Sequence, residues 1–178
     1  MDATEFRTAW EELGDQLCRY SAETLLVSRL PENTKRFLET AGLPIAAAPF
    51  LSFAPGTLDW LRQAGDDLDR FFPLGSDGSG DPLAVDEDGI VWLIDHEAPA
   101  RRTLVNSSVS ALAECLLAYR ALVVEAVAIG GENAVLDGRI PRHLIEAFSG
   151  SIAIVDPTAA QPGSFWGWEV SRLSAEAI

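Results

Sequence analysis

One β-hairpin signal constrains the fold of this chain more than any other feature. Two short apolar runs, residues 83–85 and 90–94, flank an acidic turn that ends in Asp88-Gly89. An Asp-Gly pair between apolar runs favours a hairpin, because glycine adopts a positive φ at little steric cost. The two runs are therefore predicted to pair as neighbouring antiparallel strands.

The residues after this hairpin predict a further strand and then a long helix. Residues 101–105 are predicted to form another strand, and Asn106 and Ser107, which follow it, are both suited to cap a helix. Apolar residues then recur at helical spacing to about residue 129, where two glycines end the pattern. This order of strands and helix predicts an α+β chain with an antiparallel sheet.

Periodicity and turn residues predict the other elements. A first helix is expected over residues 3–19, with a capping box between Asp2 and Glu5, and a second between Pro31 and Gly42. No repeat or long linker interrupts the chain, which predicts a single domain over residues 1–178 with the N-terminal helix 1–20 as an extension. The remaining predicted strands and loops are strands over 48–53 and 68–74, a helical turn or loop over 57–63, a loop over 75–81, and a strand or a lead-in to the next turn over 151–155. Two further helices are predicted over 141–148 and 165–173. In the second of these helices, Phe165, Trp168 and Leu173 are expected to face inward.

The charge balance limits the possible partners. The chain has 178 residues, with 27 acidic and 13 basic side chains and a formal net charge of −14. Such a chain repels nucleic acid and anionic membrane surfaces and favours a basic protein partner, although net charge serves solubility equally well. The uncharged run 40–58 contains three prolines, which break a membrane-spanning helix.

Several features predict a cytoplasmic location. The N-terminal residues are acidic and lack the basic and apolar regions of a signal peptide. Cys18 and Cys115 form no CxxC pair, and each falls in a segment with helical periodicity. Both are expected to be buried free thiols, which fits a reducing compartment.

No motif in the sequence points to catalysis, a cofactor or a metal ion. His96 and His143 show none of the spacings typical of metal ligands, and the glycine-rich loop 75–81 has no lysine to hold a phosphate. Ser107 lacks the glycines of a nucleophile elbow. The protein is predicted not to be an enzyme, with a small hydrolase that uses His96 and Asp95 kept as an alternative.

Acidic residues concentrate in one part of the chain. Residues 59–97 hold eleven acidic side chains and two arginines, largely in predicted turns. Turns are ordinarily charged, so a solvated face is one interpretation, and a surface that attracts a basic partner is the other. The predicted contact residues are Asp66, Asp67, Asp69, Asp77, Asp81, Glu87, Asp88, Trp92 and Trp166.

Strand and helix geometry is the reason why two tryptophans belong to this set. Trp92 lies in an alternating strand, so it faces the side of the sheet opposite to Val91 and Leu93. Trp166 and Trp168 are two positions apart on one helix and therefore point in different directions. One of the two is expected to be a surface contact.

The order of several short motifs resembles the SUKH superfamily, and within it most closely the fourth SUKH group of bacterial immunity proteins. The resemblance covers roughly residue 30 onward, and the order of the motifs is more specific than any one of them. The matching residues are Leu30-Pro31, Gly42-Leu43-Pro44, Leu74-Gly75-x-Asp77-Gly78, Asp88-Gly89-Ile90-Val91-Trp92, Leu104-Val105-Asn106-Ser107-Ser108 and Phe165-Trp166 with Leu173.

This resemblance implies a fold and a function. The expected fold is a curved antiparallel sheet flanked by helices in a single α+β domain, with a cleft for protein binding. The expected function is stoichiometric neutralisation of a cognate toxin, often a nuclease or a nucleic-acid deaminase, without catalysis. A regulatory scaffold of the same fold that binds an endogenous protein is the alternative, and the oligomeric state is left open.

Overall fold

The predicted hairpin lies inside a six-stranded antiparallel sheet. The computed structural model describes residues 1–56 and 66–177. The six strands follow one another in sequence order across the sheet, from β3 to β8, and a two-stranded sheet of β1 and β2 lies beside them. The strands are β1 (Leu17–Cys18), β2 (Leu43–Pro44), β3 (Ala46–Ala47), β4 (Leu51–Phe53), β5 (Phe72–Ser76), β6 (Pro82–Val85), β7 (Val91–Ile94) and β8 (Arg102–Asn106).

Helices cover one face of this sheet. Together the helices and antiparallel strands confirm the predicted α+β class. A short 3-10 helix, Asp66–Arg70, precedes β5. The α-helices of the described residues are α1 (Ala3–Glu11), α2 (Ala22–Leu26), α3 (Glu32–Thr40), α4 (Val109–Gly130), α5 (Arg142–Val155) and α6 (Phe165–Glu176).

The sheet is buried on both faces near its centre. In β6, Leu83 and Val85 point into the main core under the helices, whereas Ala84 points to the opposite side. There Ala84 packs with Leu68 of the 3-10 helix and Ile94 of β7 in a second, smaller core. Alternate strand residues face opposite sides, which explains why every residue of β6 is buried.

The first helix is shorter than the periodicity predicts. Its capping box between Asp2 and Glu5 is confirmed, but the helix ends at Glu11 instead of residue 19. Gly14 has a φ of +82°, a conformation that ends a helix, and the chain then runs extended. Cys18 therefore lies half-buried in β1, not in a helix, whereas Cys115 is buried in α4 as expected.

The second predicted helix is confirmed, and a neighbouring one was missed. α3 begins after Pro31, and Gly42, at a φ of +76°, follows its end. A Cβ on Gly42 would lie 2.0 Å from the carbonyl oxygen of Cys18, so only glycine fits this close approach. The short helix α2, capped by Ser21, was not predicted.

Two strand predictions need correction. The run 48–53 forms the turn between β3 and β4 and then β4 itself, because β3 begins and ends before it. The run 68–74 begins in the 3-10 helix, where Leu68 supplies the buried contact, and becomes a strand only at Phe72. The prediction for residues 57–63 lies outside the described residues.

The last third is more helical than predicted. α5 continues through residues 151–155, which were expected to form a strand or a lead-in, and ends at Asp156. Gly150 does not interrupt it, and Ser151 donates a hydrogen bond to the carbonyl of Ala147 one turn earlier. In the part of the chain that the structure describes, no helix combines the length and the apolar character needed to cross a bilayer.

Candidate protein-binding surfaces

The acidic residues are divided between two opposite ends of the six-stranded sheet. The hairpin end comprises residues 66–70 and 86–89, and the loop end comprises residues 77–81 and 95–101. At about 3.3 Å per residue, the five steps along β6 correspond to roughly 16 Å. The predicted contact residues therefore do not form one continuous surface.

At the hairpin end, one carboxylate holds the turn together. Asp86 is buried, and its Oδ1 accepts hydrogen bonds from the backbone N–H groups of Asp88 at 3.0 Å and Ile90 at 2.9 Å. Its Oδ2 accepts the indole N–H of Trp92 at 2.8 Å. This bond fixes the half-buried Trp92 against the smaller core, so much of that side chain serves the sheet itself.

Three further acids of the hairpin end, Asp69, Glu87 and Asp88, are at least partly exposed to solvent. Asp69 and Asp88 are exposed, and Glu87 is 37% exposed. Glu87 lies 3.2 Å from Nε of Arg70 and 3.9 Å from Arg29, and both of these arginines are largely exposed. Exposed ion pairs of this kind contribute little stability, but they reduce the local negative charge. Asp66 and Asp67, also predicted contacts, belong to the same 3-10 helix.

At the loop end, Asp77 organises the turn between β5 and β6. Its Oδ1 accepts the backbone N–H groups of Ser79 and Asp81, both at 2.9 Å. Asp81 in turn joins this loop to the next one, since its Oδ1 accepts the backbone N–H of His96 and lies 2.5 Å from Nδ1 of the same residue. The hydrogen bond to Asp81 raises the pKa of His96.

This contact changes the partner expected for His96. The hydrolase alternative pairs His96 with Asp95, but the Asp95 carboxylate instead accepts the backbone N–H groups of Glu97 and Ala98 and contacts Arg101. His96 bonds to Asp81 in the adjacent loop. Within residues 1–56 and 66–177, no three or more His, Cys, Asp or Glu side chains are grouped as a metal site would require.

Trp166 is not on the surface. It is fully buried on α6, and its indole N–H donates to Oδ1 of Asn106 at 2.9 Å. Trp168, which was expected to face inward with Phe165 and Leu173, is instead 61% exposed. The surface tryptophan of this helix is therefore Trp168, because the buried Asn106 draws Trp166 inward.

Asn106 is a structural centre and not the helix cap. Ser108 caps α4 by accepting the backbone N–H of Ala111, whereas Asn106 is completely buried at the end of β8. Its Nδ2 donates to Oδ2 of Asp156 at 3.1 Å, and Asp156 also accepts the backbone N–H of Ser107 at 2.6 Å. These bonds join β8, the end of α5 and the start of α6.

The pKa shifts around this centre reflect burial and hydrogen bonding. Burial opposes the ionised form of Asp156, but hydrogen bonds from Thr158, the Ser107 N–H and Asn106 outweigh it and lower its pKa. Burial also raises the pKa of the nearby Cys115 to about 12, so this thiol is unreactive at neutral pH. Both groups stabilise the fold and neither suits catalysis.

A large apolar groove lies on another part of the surface. Its main depression, of about 760 Å³, is bounded by the β3–β4 turn on one side and by α4 and residues 132–136 on the other. A second depression of about 410 Å³ lies between the same turn, the loop end and α6. The two share Pro49, Phe50 and Arg172, and we name them together the Phe50 groove.

Three large apolar side chains along the Phe50 groove are exposed. Phe50 is 71%, Leu136 73% and Trp168 61% exposed. Phe50 also has a φ of 57°, in the left-handed region that bulky residues rarely adopt. The tip of the β3–β4 turn thus holds a phenyl ring in solvent at a backbone position better suited to glycine or asparagine.

The charged groups at the base of the groove are paired. Tyr119 donates to Oε1 of the buried Glu169 at 2.6 Å, and Arg172 donates to both oxygens of the same carboxylate at 2.7 and 2.9 Å. Burial, followed by the nearby Glu169, raises the pKa of Tyr119, so its hydroxyl stays protonated and donates. Arg120 bonds to Asp15 and lies over the ring of Trp10.

Sequence reasoning missed this groove. The strands that frame the β3–β4 turn have only two and three residues, too few for an alternating pattern. The predicted strand over residues 48–53 includes Pro49 and Phe50, which lie in the turn between β3 and β4. The available signal is Pro49, since proline followed by a bulky apolar residue suits a turn better than a central strand.

Comparison with known protein families gives a match over most of the chain. The sequence model of the SUKH-4 immunity protein family matches residues 5–170, which include most of α1 and begin well before the region that carried the resemblance. No curated protein and no solved structure matches the chain. The match spans nearly all of the α+β fold described above, and this chain therefore belongs to the SUKH-4 immunity protein family.

Proposed function

We propose that this protein is an immunity protein that binds a cognate toxin and neutralises it by stoichiometric protein–protein binding. The observation that carries the proposal is the SUKH-4 immunity protein match over residues 5–170. The protein acts in the cytoplasm of the toxin-producing cell. Inhibition of this kind needs a surface that covers or distorts the toxin, and it needs no catalytic residue of its own.

The toxin is proposed to be a basic protein of the nuclease or deaminase type. Enzymes that act on nucleic acid hold the phosphate backbone with lysine and arginine, so their substrate-binding surfaces are positively charged. A chain with a net charge of −14 attracts such a surface before contact and accelerates the encounter. The sheet ends supply exposed acids for this purpose, including Asp69 and Asp88 at the hairpin end.

Of the predicted contact residues, the partly exposed ones remain part of the proposal. Asp77 and Asp81 each use Oδ1 for hydrogen bonds within the loop end, and both side chains are partly exposed and within reach of a partner. Glu87 divides its charge between two arginines, which a basic toxin would displace. Trp92 is only half-buried and borders the hairpin end.

Co-expression tests this function directly. The toxin domain encoded beside this gene is expressed in a sensitive host with and without the wild-type chain, and growth is recorded. Rescue that requires an equimolar amount of the chain, together with a 1:1 complex of the purified proteins, is the expected result. A second toxin from an unrelated system is the control and stays toxic.

Two results would contradict the proposal. One is continued toxicity with no complex despite full expression of the folded chain. The other is rescue by a small fraction of an equivalent, since that would indicate catalytic turnover. Stable binding to an endogenous protein in place of the toxin would support a regulatory scaffold.

A further inference from the structure

We infer that the Phe50 groove is the surface that docks the toxin, and that it receives an apolar segment of the toxin flanked by basic side chains. This inference rests on the proposed function and adds the place and the chemistry of the contact. The groove differs from the acidic contact set, since only Asp77 belongs to both.

Exposure of large apolar side chains carries the first step. Phe50, Leu136 and Trp168 are each more than 60% exposed, and all three border the two depressions. Scattered exposed apolar residues are ordinary, but several that converge on one concave surface are typical of a binding site. Aromatic side chains at the edge of a pocket are also the residues that most often dominate protein–protein affinity.

The backbone at Phe50 carries the second step. A φ of 57° costs a bulky residue free energy that glycine or asparagine would largely avoid. The ring is 71% exposed and therefore makes little contact that would offset this cost. A residue that weakens the fold and faces solvent is better explained by a partner than by stability.

Charge around the groove indicates the kind of segment. Its two arginines are already paired, Arg120 with Asp15 and Arg172 with Glu169. Glu132 borders the main depression and Asp77 the second, and neither has a basic partner among the described residues. An apolar segment with a lysine or arginine on each side would complement both the walls and these two acids.

The base of the groove is rigid enough to select one segment. Tyr119, Glu169 and Arg172 form a closed hydrogen-bond network that ties α4 to α6. A preformed surface loses little conformational entropy on binding, so more of the contact free energy appears as affinity.

Affinity for the toxin domain encoded beside this gene tests the inference. Phe50→Asn suits the left-handed backbone, and Trp168→Ala suits an exposed helix position, so both variants are expected to fold. Each is expected to weaken the Kd measured by calorimetry by at least about 30-fold. Phe50→Asn is also expected to keep or raise the unfolding temperature while it weakens binding. If Phe50 served only the fold, its replacement would lower the unfolding temperature instead.

Matched controls come from exposed apolar residues outside the groove. Val27→Asn and Ile154→Ala change side chains that are 83% and 85% exposed, and both are expected to leave the Kd within about twofold of wild type. Asp77→Asn, which keeps the turn acceptor, and Glu132→Gln test the flanking charges. Each is expected to weaken binding severalfold at low salt and less at high salt.

The outcomes separate the two proposals. If the wild-type chain neither binds nor neutralises the toxin, the proposed function fails and the inference fails with it. If the wild-type chain binds but Phe50→Asn and Trp168→Ala bind equally well, only the groove inference is overturned. Loss of self-association with unchanged toxin binding would assign the groove to a second copy of the chain and would also overturn it.

Discussion

The Phe50 groove and the hairpin end differ in why their residues are exposed. At the hairpin end, a tight turn needs polar residues, and Asp86 closes it with three hydrogen bonds. The acids there follow from turn chemistry, whether or not a partner exists. At the groove, the exposed positions 50 and 168 carry large aromatic side chains that no turn or helix cap requires. Exposed residues that the fold does not need are thus the better guide to binding.

The two regions are also expected to act at different stages of binding. Charges in solvent act over about 10 Å or less at ordinary salt and mainly raise the association rate. Apolar side chains act only on contact, where they slow dissociation. We therefore expect the acidic ends to attract a toxin and the Phe50 groove to hold it.

Trp168→Glu is expected to give the largest effect and to separate the two regions most sharply. The substitution places a charge in an apolar contact and should weaken toxin binding by about 100-fold or more. It also makes the protein more acidic, so an electrostatic account predicts equal or tighter binding. Calorimetry decides between them, with Ile154→Glu on α5 as the control. Tighter binding of Trp168→Glu would contradict the role of the groove.

Tyr119→Phe tests whether the hydrogen bond to Glu169 at the base of the groove stabilises the fold more than a buried hydrogen bond to a neutral acceptor does. The variant removes a donor from the buried Glu169 and should lower the free energy of unfolding by about 1–3 kcal/mol. Tyr20→Phe is the matched control, since the Tyr20 hydroxyl donates to the neutral carbonyl of Leu74. Its loss should be smaller, because a charged acceptor forms the stronger bond. Equal losses in urea denaturation would argue against a special role for the network.

Neutralising the hairpin end should give a moderate effect that depends on salt. The double variant Glu87→Gln/Asp88→Asn keeps the side-chain shapes and removes two charges. We expect affinity for the toxin to fall by about tenfold or less at low salt and to approach wild type as salt rises. Glu11→Gln/Glu12→Gln, an exposed acidic pair at the C-terminal end of α1, is the control. A large loss that persists at high salt would make the hairpin end the main contact instead.

Gly78→Ala should have a smaller effect on binding. The added Cβ would lie 3.1 Å from Cβ of Phe50, so the ring must shift by a few tenths of an ångström. We expect the Kd for the toxin to rise severalfold with little change in stability. Gly150→Ala in α5 adds a methyl group where nothing lies within 4 Å, and it should leave the Kd unchanged. Identical Kd values for both variants would indicate that the position of Phe50 is unimportant.

Loss of the contact between His96 and Asp81 should give the smallest effect. It should change the unfolding temperature only over part of the pH range. Asp81 raises the pKa of His96 above its ordinary value of 6.5, so the folded state binds this proton more tightly than the unfolded state. The resulting stability is fully present below pH 6.5 and is lost as pH rises through the raised pKa. His96→Gln should therefore lower the unfolding temperature at low pH and converge with wild type at high pH. A constant difference across this range would exclude the ion pair as its cause.

Local signals predicted the parts of the fold that local chemistry determines. The turn before Gly89 and the helix between Pro31 and Gly42 were predictable, because each depends on residues adjacent in the sequence. The first helix was predicted too long, since periodicity continued past Gly14 although the backbone did not. α5 was predicted too short, because the glycine at its centre is tolerated by the surrounding helix.

Long-range contacts determine the features that the sequence did not predict. Trp166 and Trp168 have equivalent local contexts, and long-range contacts bury the first of them: its bond to Asn106, 60 positions earlier, and its packing against Tyr119 and Phe148. The Phe50 groove joins the β3–β4 turn to α4 and α6, which lie far apart in the chain. The acidic concentration was apparent in the sequence, but its division between two sheet ends follows from strand order.

The kinetics of toxin binding test the central claim most directly. Association and dissociation rates of the toxin domain encoded beside this gene are measured for wild type, Trp168→Ala and Glu87→Gln/Asp88→Asn at several salt concentrations. We predict that Trp168→Ala raises koff with little change in kon, and that the acidic variant lowers kon with little change in koff. A faster koff confined to the acidic variant, with Trp168→Ala unchanged, would contradict the assignment of the contact to the Phe50 groove.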